Sequence, residues 1–477
     1  MARNEALYRP LLTTTGPSML VGRTLSAALF VTTLAPRAEA SGFLNPRLAD
    51  PHGHPALANA YAVYFNPAAL GGIEGSEVVV DGTLVYRTVD YERVPSALSP
   101  SIVQRPDATY VAANTGQAHA ANMLAIPFVG ASSDFGRHDF FGGLGAYVPF
   151  GGATKFDQRS AYYGNTDVRG AVDGPQRWSV TSGLQQSLYL TAAVGMRVPT
   201  AGLSFALAGS LVLSKIVHDQ ARNPDGHDDT NNEGRAVLDV SSTDPALSAG
   251  VYWEVLPKKA LTLGASYALR PALGEMRMRG TLRQTYASAT QDVDLLQTYP
   301  DVIRLGLAAR PWGSHLELRL DAEYATWSRL DTQCILQRGE DCTLTPDGRD
   351  THSPNKIILA IRRHWRDAGA VRIGAGYFID DKTEIYGGAG YDTSAVTKAT
   401  LESTYPDSFK LIGSLGVRRR LSDTLALGAA YTYVYYFPVT TGHQQQSELA
   451  GVSKVPNEDG TYKSQVMFLS LNATFSF

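Results

Sequence analysis

The side chains best able to do chemistry are few and badly placed for it. His52 and His54 could share a metal ion, but nothing nearby completes a ligand set, and a solvated segment is the better reading. Asp225, Asp228 and Asp229 lie in a polar stretch whose spacing is not that of a calcium loop, so they too read as solvated. The sequence contains no Gly-x-Ser-x-Gly, no Gly-x-x-x-x-Gly-Lys-Ser/Thr and no His-Glu-x-x-His. No catalytic residue, metal or cofactor is therefore expected. A different pattern stands out. Leu316, Leu318, Leu320, Ala322 and Tyr324 alternate with Glu317, Arg319, Asp321 and Glu323. On a strand, one face is apolar and the other carries mixed charge. An Arg facing lipid at mid-membrane costs about 2–4 kcal/mol, so these charges must face a lumen, where opposite signs can pair. Arg304 and Lys410 share the lumen parity on their own strands and could join that lattice.

The elements that must position these residues have a rhythm. Strands are expected at roughly 76–86, 123–132, 139–149, 184–199, 203–218, 236–256, 261–270, 302–310, 315–328, 355–365, 371–379, 409–420, 425–437 and 465–477, about fourteen in all. Short turns join alternate pairs: Ser133 to Arg137, Pro199-Thr200-Ala201-Gly202, Pro257-Lys258-Lys259, Pro311-Trp312-Gly313-Ser314, Arg366-Asp367-Ala368-Gly369 and Leu421-Ser422-Asp423. Long polar loops near 87–122, 150–183, 219–235, 271–301, 329–354, 380–408 and 438–464 make the other connections. Strictly alternating short and long connections are the topology of an antiparallel transmembrane β-barrel, short turns periplasmic and long loops outside. The thirteenth strand sets Leu425, Leu427, Tyr431, Tyr433 and Tyr435 against Ala426, Gly428, Ala430 and Thr432. The fifth sets Leu203, Phe205, Leu207, Leu211 and Leu213 against Ser204, Ala206, Ala208 and Ser210. The last ends Leu469, Leu471, Ala473, Phe475, Phe477, and a terminal aromatic on such a strand resembles the signal read by the barrel assembly machinery.

Composition agrees. Of 477 residues, 44% are apolar and mean hydropathy is −0.13, yet Tyr reaches 24 and Gly 45, as expected when each strand shows lipid only every second residue. Beyond residue 40 there is no apolar run long enough for a spanning helix. A net charge of −3 and the lack of a basic stripe argue against a nucleic-acid partner. Arg23, the apolar stretch Thr24 to Leu34 and Ala38-Glu39-Ala40 read as a secretion signal over residues 1–40, with translation starting at Met19. In the oxidising compartment beyond, Cys334 and Cys342 are expected to pair.

Short motifs then fall in order along the chain: Ser41-Gly42-Phe43; Asn59-Ala60-Tyr61; Asn66-Pro67-Ala68-Ala69-Leu70; Gly145-Ala146-Tyr147-Val148-Pro149-Phe150-Gly151; Leu263-Gly264-Ala265-Ser266-Tyr267; Tyr299-Pro300-Asp301; Tyr324-Ala325-Thr326-Trp327-Ser328; Tyr405-Pro406-Asp407; and Ala430-Tyr431-Thr432-Tyr433. Together they resemble the FadL family of outer-membrane transporters for hydrophobic compounds. The resemblance implies an N-terminal hatch over 41–72, centred on Asn66, Pro67 and Ala68, inside a barrel of residues 73–477. It also implies a kink at Phe150 and Gly151 in the third strand, through which substrate could leave sideways. A glycine can kink a strand and break its ladder, although Gly151 could equally be a turn glycine ending the strand. The stretch Asn45 to Phe65, with Asp50-Pro51-His52-Gly53-His54-Pro55, is shorter than the family's usual Gly- and Ala-rich segment, so a shorter or differently folded hatch is expected.

The function implied is passive uptake of long-chain fatty acids or other hydrophobic small molecules across the outer membrane of a Gram-negative bacterium. Tyr110, Tyr162, Tyr163, Trp178 and Leu295-Leu296 are candidates for an apolar capture site outside. The expected surroundings are outer-membrane lipid and lipopolysaccharide, the assembly machinery at Phe477, and no other subunit. A general porin or adhesive barrel, and more distantly an outer-membrane hydrolase, are the alternatives; an open porin needs no hatch.

Overall fold

Alternating sequences make stable strands only when each face meets its own solvent, and the computed structural model supplies both by closing a sheet on itself. It describes residues 53–99, 107–137, 139–285, 289–311, 315–442 and 455–477. The expected secretion signal, Met19, Ser41-Gly42-Phe43, His52 and Trp312-Gly313-Ser314 lie outside the described residues.

Fourteen antiparallel strands form the wall. They are β1 Ser76–Arg93, β2 Gly116–Ser133, β3 Phe140–Lys155, β4 Ser182–Val198, β5 Leu203–Arg222, β6 Gly234–Leu256, β7 Leu261–Ala268, β8 Val302–Ala309, β9 Leu316–Ala325, β10 Ala368–Phe378, β11 Thr383–Asp392, β12 Lys410–Arg420, β13 Leu425–Tyr436 and β14 Gly460–Ser476. Each pairs with the next, and β14 returns to β1 in register from Glu77↔Ser476 to Arg93↔Gly460. Closure gives every wall strand a partner on both sides, over all or part of its length. Leu207, Val194, Ile373, Leu415 and Leu471 point outward and are exposed, as a lipid-facing band requires. Exposed aromatics ring both ends of that band, with Tyr267, Tyr324, Tyr391 and Tyr435 toward the long loops and Phe140, Trp253, Tyr377 and Phe475 toward the short turns.

The strand expected at 355–365 is not part of the wall. Its core, Ile357–Arg362, pairs with Thr332–Gln337 in a small sheet that continues from the loop end of β6 through Met276–Gln284 and Ala289–Gln297. The true eleventh strand, Thr383–Asp392, lies where a long loop was expected. Its sequence Thr-Glu-Ile-Tyr-Gly-Gly-Ala-Gly-Tyr-Asp is rich in glycine and weakly patterned, whereas Ile357-Ile358-Leu359-Ala360-Ile361 reads as a strong strand. The short turn expected at 366–369 therefore sits at the long-loop end, and 379–382 takes its place among the six short connections. Several strands also run past their expected limits on the loop side, because β1, β2, β5 and β6 keep pairing well above the lipid band.

Candidate functional site

The segment from Gly53 to Ile73 lies inside the barrel near the short-turn end. It holds a short helix, Ala62–Phe65, and a 3-10 turn, Pro67–Gly72. Asn66 joins them. Its Oδ1 accepts from Ala68 N–H at 3.2 Å, and its Nδ2 donates to Pro55 O at 2.8 Å and to Val251 O on β6 at 3.0 Å. Pro67 suits the first position of the turn, where no N–H is needed. Gly250 makes the approach feasible, because a Cβ there would lie 2.0 Å from Asn66 Oδ1. Wall groups fasten the rest of the segment. Tyr61 Oη donates to Asp81 at 2.7 Å, Ala60 N–H to Glu77 at 2.7 Å, Ser266 Oγ to Phe65 O at 2.6 Å and Thr262 Oγ1 to Ala56 O at 2.8 Å. His54 was read as solvated, but it is buried: Ala56 N–H donates to its Nδ1, so its proton sits on Nε2 and is given to Leu320 O at 3.1 Å.

The charged residues form ladders on the lumen side of β8 to β11. Arg304 pairs with Glu323 at 2.8 Å; Arg372 reaches Glu323, Asp321 and Asp392 at 3.3–3.4 Å; Arg319 bridges Glu317 and Glu384. Arg304 also donates to Tyr64 Oη at 2.9 Å, with its guanidinium 4.6 Å from that ring, and so ties the lattice to the inner segment. Lys410 pairs with Asp407 at 2.7 Å and stands opposite Asp392 of these ladders across the next strand pair. Arg372, Glu384 and Asp392 were missed. Glu384 and Asp392 sit on the unrecognised strand, while the parity of Arg372 was readable.

The wall is uneven at β3. Its ladder with β2 runs only from Phe128↔Tyr147 to Ser133↔Gly142, although both strands continue on the loop side. Pairing with β4 skips register between Tyr147 and Phe150 and then resumes, with Gly151 opposite Gln186. Gly151 is thus inside the strand, and a Cβ there would press on Val148 Cγ1 at 3.1 Å. The two strands next meet where Lys155 N–H donates to Asn122 Oδ1 at 3.1 Å and Asp157 N–H to His119 O at 2.8 Å. Between those limits β2 and β3 face each other without a shared ladder.

A cavity lies directly behind this gap, lined by Leu124, Ile126, Val148, Gly151, Val466 and Phe468 among others. A second adjoins it beside Phe150, Trp327, Trp365 and Tyr405, and a third, mostly aliphatic, lies under the small outer sheet beside Leu238, Leu282, Leu295 and Ile335. Adjacent cavities share lining residues, Gly151 and Gln185 in one case and Arg363 and Tyr405 in the other. Phe150 stacks on Tyr299 at 4.7 Å. The two Tyr-Pro-Asp motifs converge here: Gln185 Nε2 donates to Tyr299 Oη at 2.8 Å, and Tyr405 Oη donates to Gln185 Oε1 at 2.9 Å.

The outer end is covered by a buried polar cap. Asp228, read as solvated, is fully buried and paired with Arg93 at 2.8 Å. Burial pushes its carboxyl up, but the Arg93 charge and hydrogen bonds from Tyr110 and Ser99 outweigh that and hold it below the usual value. Tyr110 and Trp178 belong to this cap, Trp178 donating to Asn114 at 2.8 Å, and do not form an apolar capture surface. Tyr163 is exposed and Leu295 lines the outer cavity, so the expected capture residues are not brought together. Glu458 accepts from the backbone N–H and hydroxyl of Ser403, yet burial, aided by nearby Glu402, pushes its carboxyl up to about 8. Cys334 and Cys342 form a disulfide with Cα atoms 6.2 Å apart, closing the turn beside the small outer sheet. Among the described residues, no group of acidic, His and Cys side chains could hold a metal.

Residues 52–477 match the family described as "Outer membrane protein transport protein (OMPP1/FadL/TodX)". An outer membrane protein of Neisseria meningitidis serogroup B is 19% identical over 397 residues, 79% of this chain and 81% of its own. Among solved structures, a FadL homologue of Pseudomonas aeruginosa superposes with a TM-score of 0.71 at 17% identity, covering 92% of this chain and 100% of its own. The P. putida toluene transporter TodX gives 0.62 at 13%, covering 92% and 99%. The Ralstonia pickettii toluene transporter TbuX gives 0.56 at 14%, also covering 92% and 99%.

Proposed function

The chain belongs to the OMPP1/FadL/TodX family of outer-membrane transport proteins, and from that premise we propose that it takes up long-chain fatty acids or related hydrophobic molecules by passive diffusion with a sideways exit. The family makes it a transport barrel rather than an enzyme. One observation carries the finer reading: the ladder between β2 and β3 stops at Phe128↔Tyr147, and an apolar cavity lies immediately behind the unpaired stretch.

The polarity of the lumen supports such a route. Below the cavity, the lumen is filled by the segment Gly53–Ile73 and the charged ladders of β8 to β11. An apolar solute passing that way would have to displace paired charges or strip polar groups of their partners. Leaving between strands takes it instead into hydrocarbon, at no cost in hydration. The hatch keeps ions and water from following. Entry is at the outer cavity, and the Phe150–Tyr299 stack separates it from the exit.

The test is uptake of labelled oleate by cells that lack their own fatty-acid transporter and carry this barrel in the outer membrane. Gly151→Val runs beside the parent, after both are shown to be assembled. Uptake by the parent and loss in the variant is the expected outcome. Equal uptake by both discards the exit at Gly151, and none by either removes long-chain fatty acids as substrate, returning the porin reading to contention.

A further inference from the structure

We infer that Gln185 is the latch of a gate: six side chains close a ring at the neck between the second cavity and the one behind the β2–β3 gap, and the ring parts where Gln185 joins it. The inference rests on the transport reading and adds to it the step that sets the rate of passage.

The ring can be followed contact by contact. Tyr299 stacks on Phe150 at 4.7 Å, and Phe150 meets Trp327 edge-on at 6.1 Å. Trp327 meets Trp365 at 5.2 Å, and Trp365 meets Tyr405 at 5.7 Å. Gln185 closes the circuit, donating from Nε2 to Tyr299 Oη and accepting from Tyr405 Oη on Oε1. The members come from distant parts of the chain. Gln185 and Phe150 stand on the neighbouring strands β4 and β3, the two tyrosines on the segments leading into β8 and β12, and the two tryptophans on the connection from β9 to β10. Gln185 and Trp327 each line the cavities on both sides, which places the ring at their boundary.

Bond strength picks the link that yields. Ring contacts tolerate sliding and tilting over a range of spacings, whereas a hydrogen bond is lost steeply with distance and angle. The Gln185 amide is therefore the place where the ring parts cleanly. Its two bonds join neutral groups and are about half as strong as bonds to a charged partner. The polar links on either side of it do carry charge: Arg363 with Glu402 at 2.6 Å toward the outer cavity, and Arg372 with Asp392 at 3.3 Å toward the hatch. The surroundings suit a part that swings. The cross-strand partner of Gln185 on β3 is Gly152, so no side chain there props the amide. The groups it releases stay held. Ser187 Oγ donates to Tyr299 Oη at 3.1 Å, and the Tyr405 ring lies 5.0 Å from the guanidinium of Arg363, which Gln333 and Glu402 fix. Both tyrosines thus remain in position to take the amide back.

The test is the initial rate of labelled-oleate uptake, over a range of oleate concentrations, by cells that lack their own fatty-acid transporter and carry the full-length barrel. Gln185→Leu removes both links, and Tyr405→Phe removes one while keeping its ring beside Arg363. Rates are taken per assembled barrel. The maximal rate should rise about tenfold in Gln185→Leu and about threefold in Tyr405→Phe, as expected when two or one neutral hydrogen bonds no longer have to break. The half-saturating concentration should stay at the parent's value. A maximal rate at or below the parent's in either assembled variant would make the bridge a brace and overturn the inference. A faster rate explained by a shifted half-saturation would make Gln185 part of a binding surface and overturn it equally. Should Gln185→Leu not assemble, Tyr405→Phe decides alone. If the parent takes up no oleate, the transport reading itself falls; if the parent does and the variants are no faster, only the gate falls.

Discussion

Asn66 shows how much one side chain can organise. It caps a turn, crosses to the wall and holds the preceding segment, using acceptor and donor together. Asp cannot replace it, since it supplies no N–H, and Ala supplies neither group. Asn66→Ala takes the acceptor from Ala68 N–H and the donor from Pro55 O and Val251 O, at about 1–3 kcal/mol for a buried group left unpaired. The expected result is faster hydrogen exchange over residues 53–73 with the wall strands unchanged; exchange rates like those of the parent would show that the segment is held by its other contacts. Asn-Pro-Ala was conspicuous in the sequence, whereas its partner Gly250 was not. A lone glycine gives no sign of what will press against it.

At the scale of elements, the outer cap is a pH-sensitive assembly. The Glu458 carboxyl is raised from 4.5 to about 8, chiefly by burial. The folded cap therefore keeps a proton that the opened one releases. The contribution of Glu458 to cap stability is greatest below about pH 4.5, falls as pH rises through the interval up to about 8, and changes little beyond it. Limited proteolysis of the loop 393–409 should be slower at pH 5 than at pH 9. Glu458→Gln should remove the difference, and a pH dependence that survives in that variant would assign it elsewhere. The cap was legible only in part. Loop polarity suggested solvation, but Arg93, Asp228 and Asn114 satisfy one another across loops far apart in sequence. The β2–β3 gap likewise depends on a pairing that stops, and pairing is a relation between segments that neither contains alone.

For the whole molecule, the question is how the barrel closes and is delivered. Phe477 is 71% exposed, and its contribution to the wall is a backbone exchange with Ser76. Deleting it should leave the melting of refolded barrel nearly unchanged while lowering the amount assembled in cells, if the terminal aromatic acts on the assembly machinery. A matching fall in melting temperature would instead make it a structural residue. Fourteen strands were expected and fourteen form, yet one expected strand left the wall and another entered it. The count was preserved because the alternation of short and long connections forces an even number with both ends at the short-turn side.

What the sequence determined on its own was everything carried by local period and turn chemistry: strand faces, most boundaries at the short turns, the lumen side of Glu317 to Glu323, and the order of motifs marking the family. These follow from neighbours one, two or a few residues apart. Tertiary structure alone decided which apolar run joins the barrel, where the ladder between β2 and β3 ends, and which acids neutralise which arginines. Those outcomes depend on competition among distant segments for the same hydrogen bonds and counter-charges, and that competition is settled only when the sheet closes.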